Sequence, residues 1–282
     1  MVMYELEDPG ALTAPALLVA FEGWVSAGSA GTATIDHLAG DGPVVATFDG
    51  DRLFDYRANR PVADYLEGVL TELSFPEITL RRRTLGDRDL LLLSGTEPNW
   101  NWQALAGEVT DLAEGLGVIE HVSLGGIPWA APHTRPTSIV ETASAPEHLS
   151  ADADHPEGRL RVPAAAVSAI ERSMIDRGVP TFGFWARVPH YVGTTYSPAV
   201  VALVERVSTH LGVSVPFGTL LDQAAEQRGV LDDLIEDQPQ ARAIVEQLEA
   251  LVDQEGNISG QELAAEIERF LADTTPDEGF SG

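Results

Sequence analysis

Apolar residues in the first 217 positions fall in short runs that are typical of buried β-strands. Several of these runs are continuous rather than alternating, and continuous runs indicate strands that are covered on both faces. The seven predicted strands are residues 15–21, 43–48, 77–84, 89–93, 118–124, 137–142 and 181–186.

Segments with helical periodicity separate these runs, and two of them begin with proline at a position of the first helical turn. Strands that alternate with helices predict an α/β fold in which a parallel or mixed sheet lies between layers of helices. The predicted helices are an Ala/Gly/Ser-rich stretch ending at Leu38 and the segments 61–73, 101–116, 163–177 and 197–211.

The pattern changes after Phe217, where three helical segments follow without a further strand (220–235, 241–252 and 262–271). This part is also more acidic than the rest, with 16 Asp and Glu residues against three Arg from position 219 onward. Its apolar faces can pack on the body, on one another or on a partner. We therefore predict an α/β domain (residues 1–217) and an acidic, all-helical appendage (residues 218–282).

Composition excludes several kinds of chemistry. The chain has no cysteine, and all 17 of its Lys and Arg residues are Arg, so thiolate, Schiff-base and Walker-lysine chemistry are impossible. A net charge of −27 disfavours binding to nucleic acid or to an anionic membrane surface. The acidic N-terminus and the lack of a membrane-length apolar run predict a cytoplasmic protein.

Polar and aromatic residues follow directly after the predicted strands, where ligands bind in doubly wound sheets. The small residues 26–31 after the first strand allow close approach of either a phosphate or the sheet backbone, and we favour helix–sheet packing. The candidate binding residues in the strand-end loops are Glu22, Trp24, Asp49, Arg57, Arg60, Glu97, Trp102, His133, Arg135, His190 and Tyr191.

The loop 125–136 is the most distinctive, because three prolines stiffen it around His133 and Arg135. These two side chains can act as an acid or base and as an anion grip, or they can belong to a rigid structural loop, which we favour. No HExxH or GxSxG pattern occurs, so we predict neither a metal site nor a catalytic residue, and no cofactor.

Five segments together resemble the proteasome assembly chaperone 2 family, in its bacterial branch with a helical C-terminal extension. They are GWVSAG (23–28), FDGDRLFDYRANRP (48–61), SGTEPNWNW (94–102), GGIPWAAPHTRP (125–136) and VPHY (188–191), within residues 15–215. The resemblance implies a three-layer α/β/α sandwich similar to purine nucleoside phosphorylases, and a homo-oligomer such as a trimer.

The resemblance also implies a role in assembly rather than catalysis. Relatives dock onto the proteasome through a C-terminal tail with a penultimate tyrosine, whereas this chain ends in Phe280, Ser281 and Gly282, which argues against docking by that route. We predict a non-catalytic binding or assembly scaffold that associates with itself and with another protein. The alternative is a small-molecule enzyme, or an anion- or nucleoside-binding protein, that uses the strand-end loops.

Overall fold

The computed structural model describes residues 2–151, 153–236 and 238–254. The strands are β1 (Tyr4–Leu6), β2 (Ala16–Glu22), β3 (Val44–Phe48), β4 (Val62–Leu66), β5 (Val69–Ser74), β6 (Ile78–Leu85), β7 (Arg88–Thr96), β8 (Glu120–Trp129), β9 (Ile139–Ala143) and β10 (Thr181–Pro189). The α-helices are α1 (Ala30–Ala39), α2 (Gly50–Leu53), α3 (Trp102–Gly115), α4 (Ala166–Asp176), α5 (Ser197–Leu211), α6 (Leu220–Glu236) and α7 (Pro239–Gln254).

Eight strands form one mixed sheet in the order β1-β3-β6-β7-β2-β8-β10-β9. Its centre, β7-β2-β8-β10, is parallel, while β1, β3, β6 and β9 extend it through antiparallel pairings. Helices α3 and α4 cover one face, and α1 and α5 cover the other. The predicted three-layer α/β/α fold is confirmed.

Strand β2 shows why the predicted strands read as continuous apolar runs. Leu17 and Val19 point into the core under α3 and α4, whereas Leu18 and Ala20 point into the core under α1 and α5. Because successive side chains of a strand alternate between faces, a strand covered on both sides needs apolar residues at every position.

The predicted helix at 61–73 is wrong, because this segment forms the hairpin β4–β5. Its apolar residues recur at three- and four-residue intervals, which mimics a helical face. Glu67 and Gly68 connect the strands with φ of 50° and 82°, the left-handed pair that a two-residue hairpin turn requires. Every residue from 62 to 75 is exposed, so no side chain of the hairpin is buried against the body.

The helical appendage packs on the α/β body. Leu220 and Ala224 of α6 are buried, and Leu220 belongs to the core under α1 and α5. Val245 and Leu248 are the buried residues of α7. The third predicted helix, 262–271, lies outside the described residues. Across the described helices, none has both the length and the apolar character needed to cross a membrane.

Candidate functional site

The loops after β2, β3, β7, β8 and β10 lie at one edge of the sheet. Strand β3 points the same way as the parallel strands, because its two antiparallel steps through β6 to β7 restore its direction. Arg57 follows β3 and Arg135 follows β8, four strands away, a separation of roughly 19 Å at the usual strand spacing. The predicted site residues therefore share an edge but divide into three groups.

The first group follows β3. The carboxylate of Asp49 caps α2 by accepting a hydrogen bond from the backbone N of Asp51 at 3.1 Å. Arg57 and Arg60 are exposed and form no ion pair with any residue in the described part of the chain. This group offers two exposed cationic side chains beside the hairpin.

The second group follows β2 and β7 and is structural. Oε2 of Glu97 accepts a hydrogen bond from the backbone N of Trp24 at 3.1 Å, and Oε1 accepts one from that of Ala166 at 2.7 Å. Glu97 thus ties the loop after β2 to the start of α4. Trp24 and Trp102 pack against the core under α3 and α4, while Glu22 is exposed.

The third group follows β8 and β10 and contains the remaining four predicted residues. His133 is 1% exposed. The hydroxyl of Tyr191 lies 2.8 Å from both the backbone N and Nδ1 of His133, and Nε2 lies 3.1 Å from Oδ1 of Asp232 on α6. With a neutral imidazole, Tyr191 donates to Nδ1 while Nε2 donates to Asp232. Nδ1 of His190 lies 3.3 Å from the carbonyl oxygen of Trp129.

Burial raises the pKa of Tyr191 to about 12, so this phenol keeps its proton and remains a hydrogen-bond donor at neutral pH. The hydrogen bonds that connect Tyr191, His133 and Asp232 therefore join the loops after β8 and β10 to α6. The backbone N, Nδ1 and Nε2 of His133 each have a hydrogen-bond partner within the protomer.

Arg135 is occupied by α7. Its Nη1 donates to Oε1 of Glu249 at 3.0 Å, and Nε and Nη2 donate to the two carboxylate oxygens of Asp253 at 3.0 and 2.7 Å. Thr134 also donates to Glu249. These carboxylates, the hydrogen bonds to Asp253 first, raise the pKa of the Arg135 guanidinium further above its already high value.

A cavity of about 230 Å³ lies beside this group, which we term the strand-end cavity. Arg187 forms part of its wall, with the guanidinium 4.5 Å from the centre of the Trp129 ring. Nη1 of Arg187 donates to Ser138 at 3.1 Å and pairs with Asp154 at 2.6 Å. The other lining residues include Ala131, Pro132, Arg135, Thr137, Tyr196 and Val252.

Sequence reasoning missed Arg187 and the acidic partners on α6 and α7. The signal for Arg187 was a single charged residue inside an otherwise apolar strand, since such a side chain must find a partner when buried. The partners Asp232, Glu249 and Asp253 carried no such signal, because they lie among many acidic residues of solvated helices.

The small residues 26–31 and the glycine pair after Leu124 serve packing. A Cβ on Gly126 would lie 2.1 Å from the carbonyl oxygen of Ala27, and one on Gly31 would lie 2.5 Å from that of Leu124. The backbone N of Gly126 also donates to Val25 at 2.9 Å. The loop after β2 therefore lies directly on β8, where neither position has room for a side chain. This contact agrees with the favoured interpretation of residues 26–31 as a packing segment.

No group of three or more His, Asp and Glu side chains within the described ranges is placed to hold a metal ion. The edge of the sheet at which these loops lie instead contains ion pairs within the protomer, such as those of Arg135. It also contains two exposed arginines and the strand-end cavity, which α7 covers.

Comparisons place this fold among known proteins. A Mycobacterium tuberculosis protein of unknown function, Rv2714, is 33% identical, with 96% of each chain covered and a TM-score of 0.86. The M. tuberculosis proteasome-assembly chaperone homologue Rv2125 is 30% identical over 82% of this chain and 99% of its own, with a TM-score of 0.75. A search of the curated proteins gives no match.

A more distant similarity supports the fold alone. PbaB of Pyrococcus furiosus, an archaeal proteasome activator, is 14% identical over 82% of this chain and 97% of its own, with a TM-score of 0.65.

The fold and its strand-end edge thus define a three-layer α/β/α protein with a C-terminal helical cover. The PAC2 family model matches residues 20–235, which is most of the chain. The chain belongs to the PAC2 family, and the predicted resemblance to proteasome assembly chaperones is confirmed.

Proposed function

We propose that this protein is a non-catalytic assembly scaffold that associates with itself through the hairpin β4–β5 and presents a protein-binding surface to a partner. The exposed hairpin is the observation that carries the proposal. The similarity to a proteasome-assembly chaperone homologue supports a role in assembly.

The hairpin has the chemistry of an uncovered interface. Its apolar side chains are between 48% and 69% exposed (Val62, Tyr65, Leu66, Val69, Leu70 and Leu73), and Phe75 beside it is 49% exposed. An isolated two-stranded hairpin is only marginally stable in water, so a constant partner is needed to hold it. A second copy of the same chain is the partner that is always present.

The charges near the hairpin favour a second copy as well. Asp64 lies directly opposite Glu72 in the hairpin register, and like charges in that position repel. Arg57 and Arg60 lie just before the hairpin and are exposed. We infer that these arginines of one copy approach the two carboxylates of the next, which makes the surface self-complementary.

The strand-end groups support a scaffold more than an anion-binding enzyme. An anionic substrate would have to displace Glu249 and Asp253 from Arg135, and Asp154 from Arg187. His133 likewise has partners on both ring nitrogens. The alternative function therefore requires these internal pairs to open first.

Light scattering of the full chain tests self-association. The unaltered protein is expected to have the mass of an oligomer at micromolar concentration, and Leu66→Asp together with Val69→Asp is expected to yield monomers. These residues are exposed in the protomer, so the melting temperature of the monomeric variant reports whether it still folds.

A charge exchange tests the proposed pairing. Glu72→Arg and Arg60→Glu should each weaken association, and the double variant should recover it. Asp87→Arg, in the exposed turn between β6 and β7, is the matched control and should have no effect. A monomeric unaltered protein, or association that all of these changes leave intact, would refute the role of the hairpin.

A further inference from the structure

A second cavity, unrelated to the strand-end groups, lies under helix α4. It has a volume of about 220 Å³, far more than a single water needs. We term it the α4 cavity. It is bounded by α4, by the segment 156–163, by the loop after β2 and by strands β8, β9 and β10. Its lining is mainly apolar and includes Trp24, Ile127, Leu160 and Trp185, together with the polar Ser168 and Glu171.

The indole of Trp185 forms one wall of the α4 cavity. A Cβ on Gly183 would lie 2.8 Å from its Nε1, and a Cβ on Gly125 would lie 2.8 Å from its Cε3. The ring therefore lies against the sheet over two glycines. Nε1 donates to Oγ1 of Thr142 at 3.0 Å, so the indole N–H is already satisfied. What Trp185 offers to the cavity is an aromatic surface.

Glu171 supplies the polar end of the α4 cavity. Its Oε1 is enclosed and has no hydrogen bond of normal geometry to the described residues. The nearby hydroxyl of Ser123 on β8 interacts with this carboxyl only weakly and lowers its pKa less than burial raises it. Burial raises the pKa of Glu171 to about 7, so the carboxyl is largely protonated in mildly acidic solution. A protonated carboxyl donates one hydrogen bond and accepts others.

We propose that the α4 cavity is a binding site for a small, flat, uncharged molecule with a hydrogen-bond acceptor, such as an aromatic amide or a nitrogen heterocycle. The flat body would lie along Trp185 and Trp24, and the acceptor would face Glu171. This inference goes beyond the proposed scaffold function and does not depend on it.

The lining decides the class of ligand. Apolar and aromatic walls with few polar groups favour a small organic molecule, and aromatic rings favour a flat partner. None of the described residues that line the cavity is cationic, so an anion would lose its hydration without gaining a counter-charge from them. An ammonium group would be drawn to Glu171 only in its ionised form, which burial disfavours.

Calorimetric titration of benzamide into the full-length protein at pH 6 tests the proposal. A ligand of this size is expected to bind with a Kd on the order of 1 mM or tighter. Benzoate, which has the same ring and a negative charge, should bind at least tenfold more weakly.

Variants locate the binding. Ser168→Phe and Leu160→Trp fill the cavity from two different segments, and each should weaken benzamide binding at least tenfold. Glu171→Gln keeps a neutral hydrogen-bonding group and should retain binding, whereas Glu171→Leu should weaken it several-fold. Asp176→Asn, on the exposed end of the same helix, is the control and should bind as the unaltered protein does.

Equal binding of benzamide by the two filled variants and the unaltered protein would place the ligand elsewhere and overturn the proposal. The absence of binding up to about ten times the expected Kd would overturn it as well. Thermal melting of each variant identifies one that fails to fold, and the filling variant on the other segment then decides.

Discussion

The guanidinium of Arg135 holds the carboxylate of Asp253 through two parallel hydrogen bonds, at 3.0 and 2.7 Å. Arg135 belongs to the loop after β8, and Asp253 lies near the end of α7. Together with Glu249, one turn earlier, this pair fastens α7 across the carboxyl ends of the parallel strands. The helix covers the strand-end cavity through Val252.

Arg135→Ala should loosen α7 without unfolding the body. Both partners of Arg135 are partly or largely exposed, so the free energy of unfolding should fall only slightly. Hydrogen exchange of the backbone amides in 239–254 should become several-fold faster, because the helix opens locally before the body does. High salt should produce part of the same effect in the unaltered protein.

Arg177→Ala is the matched control, because Arg177 also bridges two exposed carboxylates, Asp111 and Glu114. It should leave exchange in 239–254 unchanged. If the amides of 239–254 exchanged equally slowly in Arg135→Ala and in Arg177→Ala, apolar contacts alone would hold α7 in place.

The division at residue 217 remains a proposal, and truncation tests it. A fragment ending at residue 238 keeps α6 and should melt close to the full chain. A fragment ending at 217 also loses the buried Leu220. It loses as well the hydrogen bond that Gln227 donates to the carbonyl oxygen of Thr195 and the one that Gln227 accepts from the backbone N of Ser197. It should still melt cooperatively, but at least about 4 °C lower. A 217-residue fragment without a melting transition would move the boundary to the end of α6.

The strands were predictable because burial on both faces leaves a continuous apolar run, as in β2. The hairpin was not, because its apolar positions do not face a core of the protomer. Without that constraint the spacing of Tyr65, Leu66, Val69 and Leu70 matched a helix as well as a hairpin. The one local signal for a turn was Gly68.

The candidate residues could be assigned to one edge of the sheet because each follows a strand. Their grouping could not be predicted, since it depends on the strand order, which places β8 beside β2 and β10. Glu97 shows the difficulty: a carboxylate after a parallel strand is typical of a ligand site, yet here it caps α4. Loop composition does not reveal which backbone N lies within reach.

Gly126→Ala should be strongly destabilising, whereas Gly107→Ala should be neutral or stabilising. The new Cβ at position 126 would lie 2.1 Å from the carbonyl oxygen of Ala27, so the loop after β2 must shift. At Gly107, within α3, the added Cβ would meet no atom of the described residues within 4 Å beyond its neighbours and the backbone of its own helix. Alanine is favoured over glycine in helices by about 0.5–1 kcal/mol. Urea denaturation of both variants measures the difference. If Gly126→Ala were as stable as Gly107→Ala, the loop after β2 would be able to move away from β8 at little cost.

His121→Leu should remove part of the acid sensitivity of the fold. His121 is fully buried on β8, between Leu17 and Thr181 in the strand register, and neither ring nitrogen has a hydrogen-bond partner in the described part of the chain. Burial lowers its pKa to about 3. The folded protein therefore keeps this imidazole neutral while the unfolded chain takes up a proton below pH 6.5.

Because the unfolded chain binds more protons in this range, the contribution of His121 to stability is present above pH 6.5 and is lost as the pH falls toward 3. Between pH 8 and pH 5 the loss should be about 2 kcal/mol. Urea denaturation at these two pH values should show that His121→Leu loses less stability than the unaltered protein, by about that amount. At pH 8 the variant should be at least as stable, because an unpaired buried polar ring is replaced by an apolar side chain.

His155 provides the control, because its side chain is exposed whereas that of His121 is buried. His155→Gln should leave the stability difference between pH 8 and pH 5 unchanged. The buried carboxyl of Glu171 has the opposite effect, because its raised pKa makes stability fall as the pH rises toward 7. That effect is present in both histidine variants and in the unaltered protein, so it cancels in the comparison. If His121→Leu retained the full loss at pH 5, protonation of His121 would not be a source of the acid sensitivity.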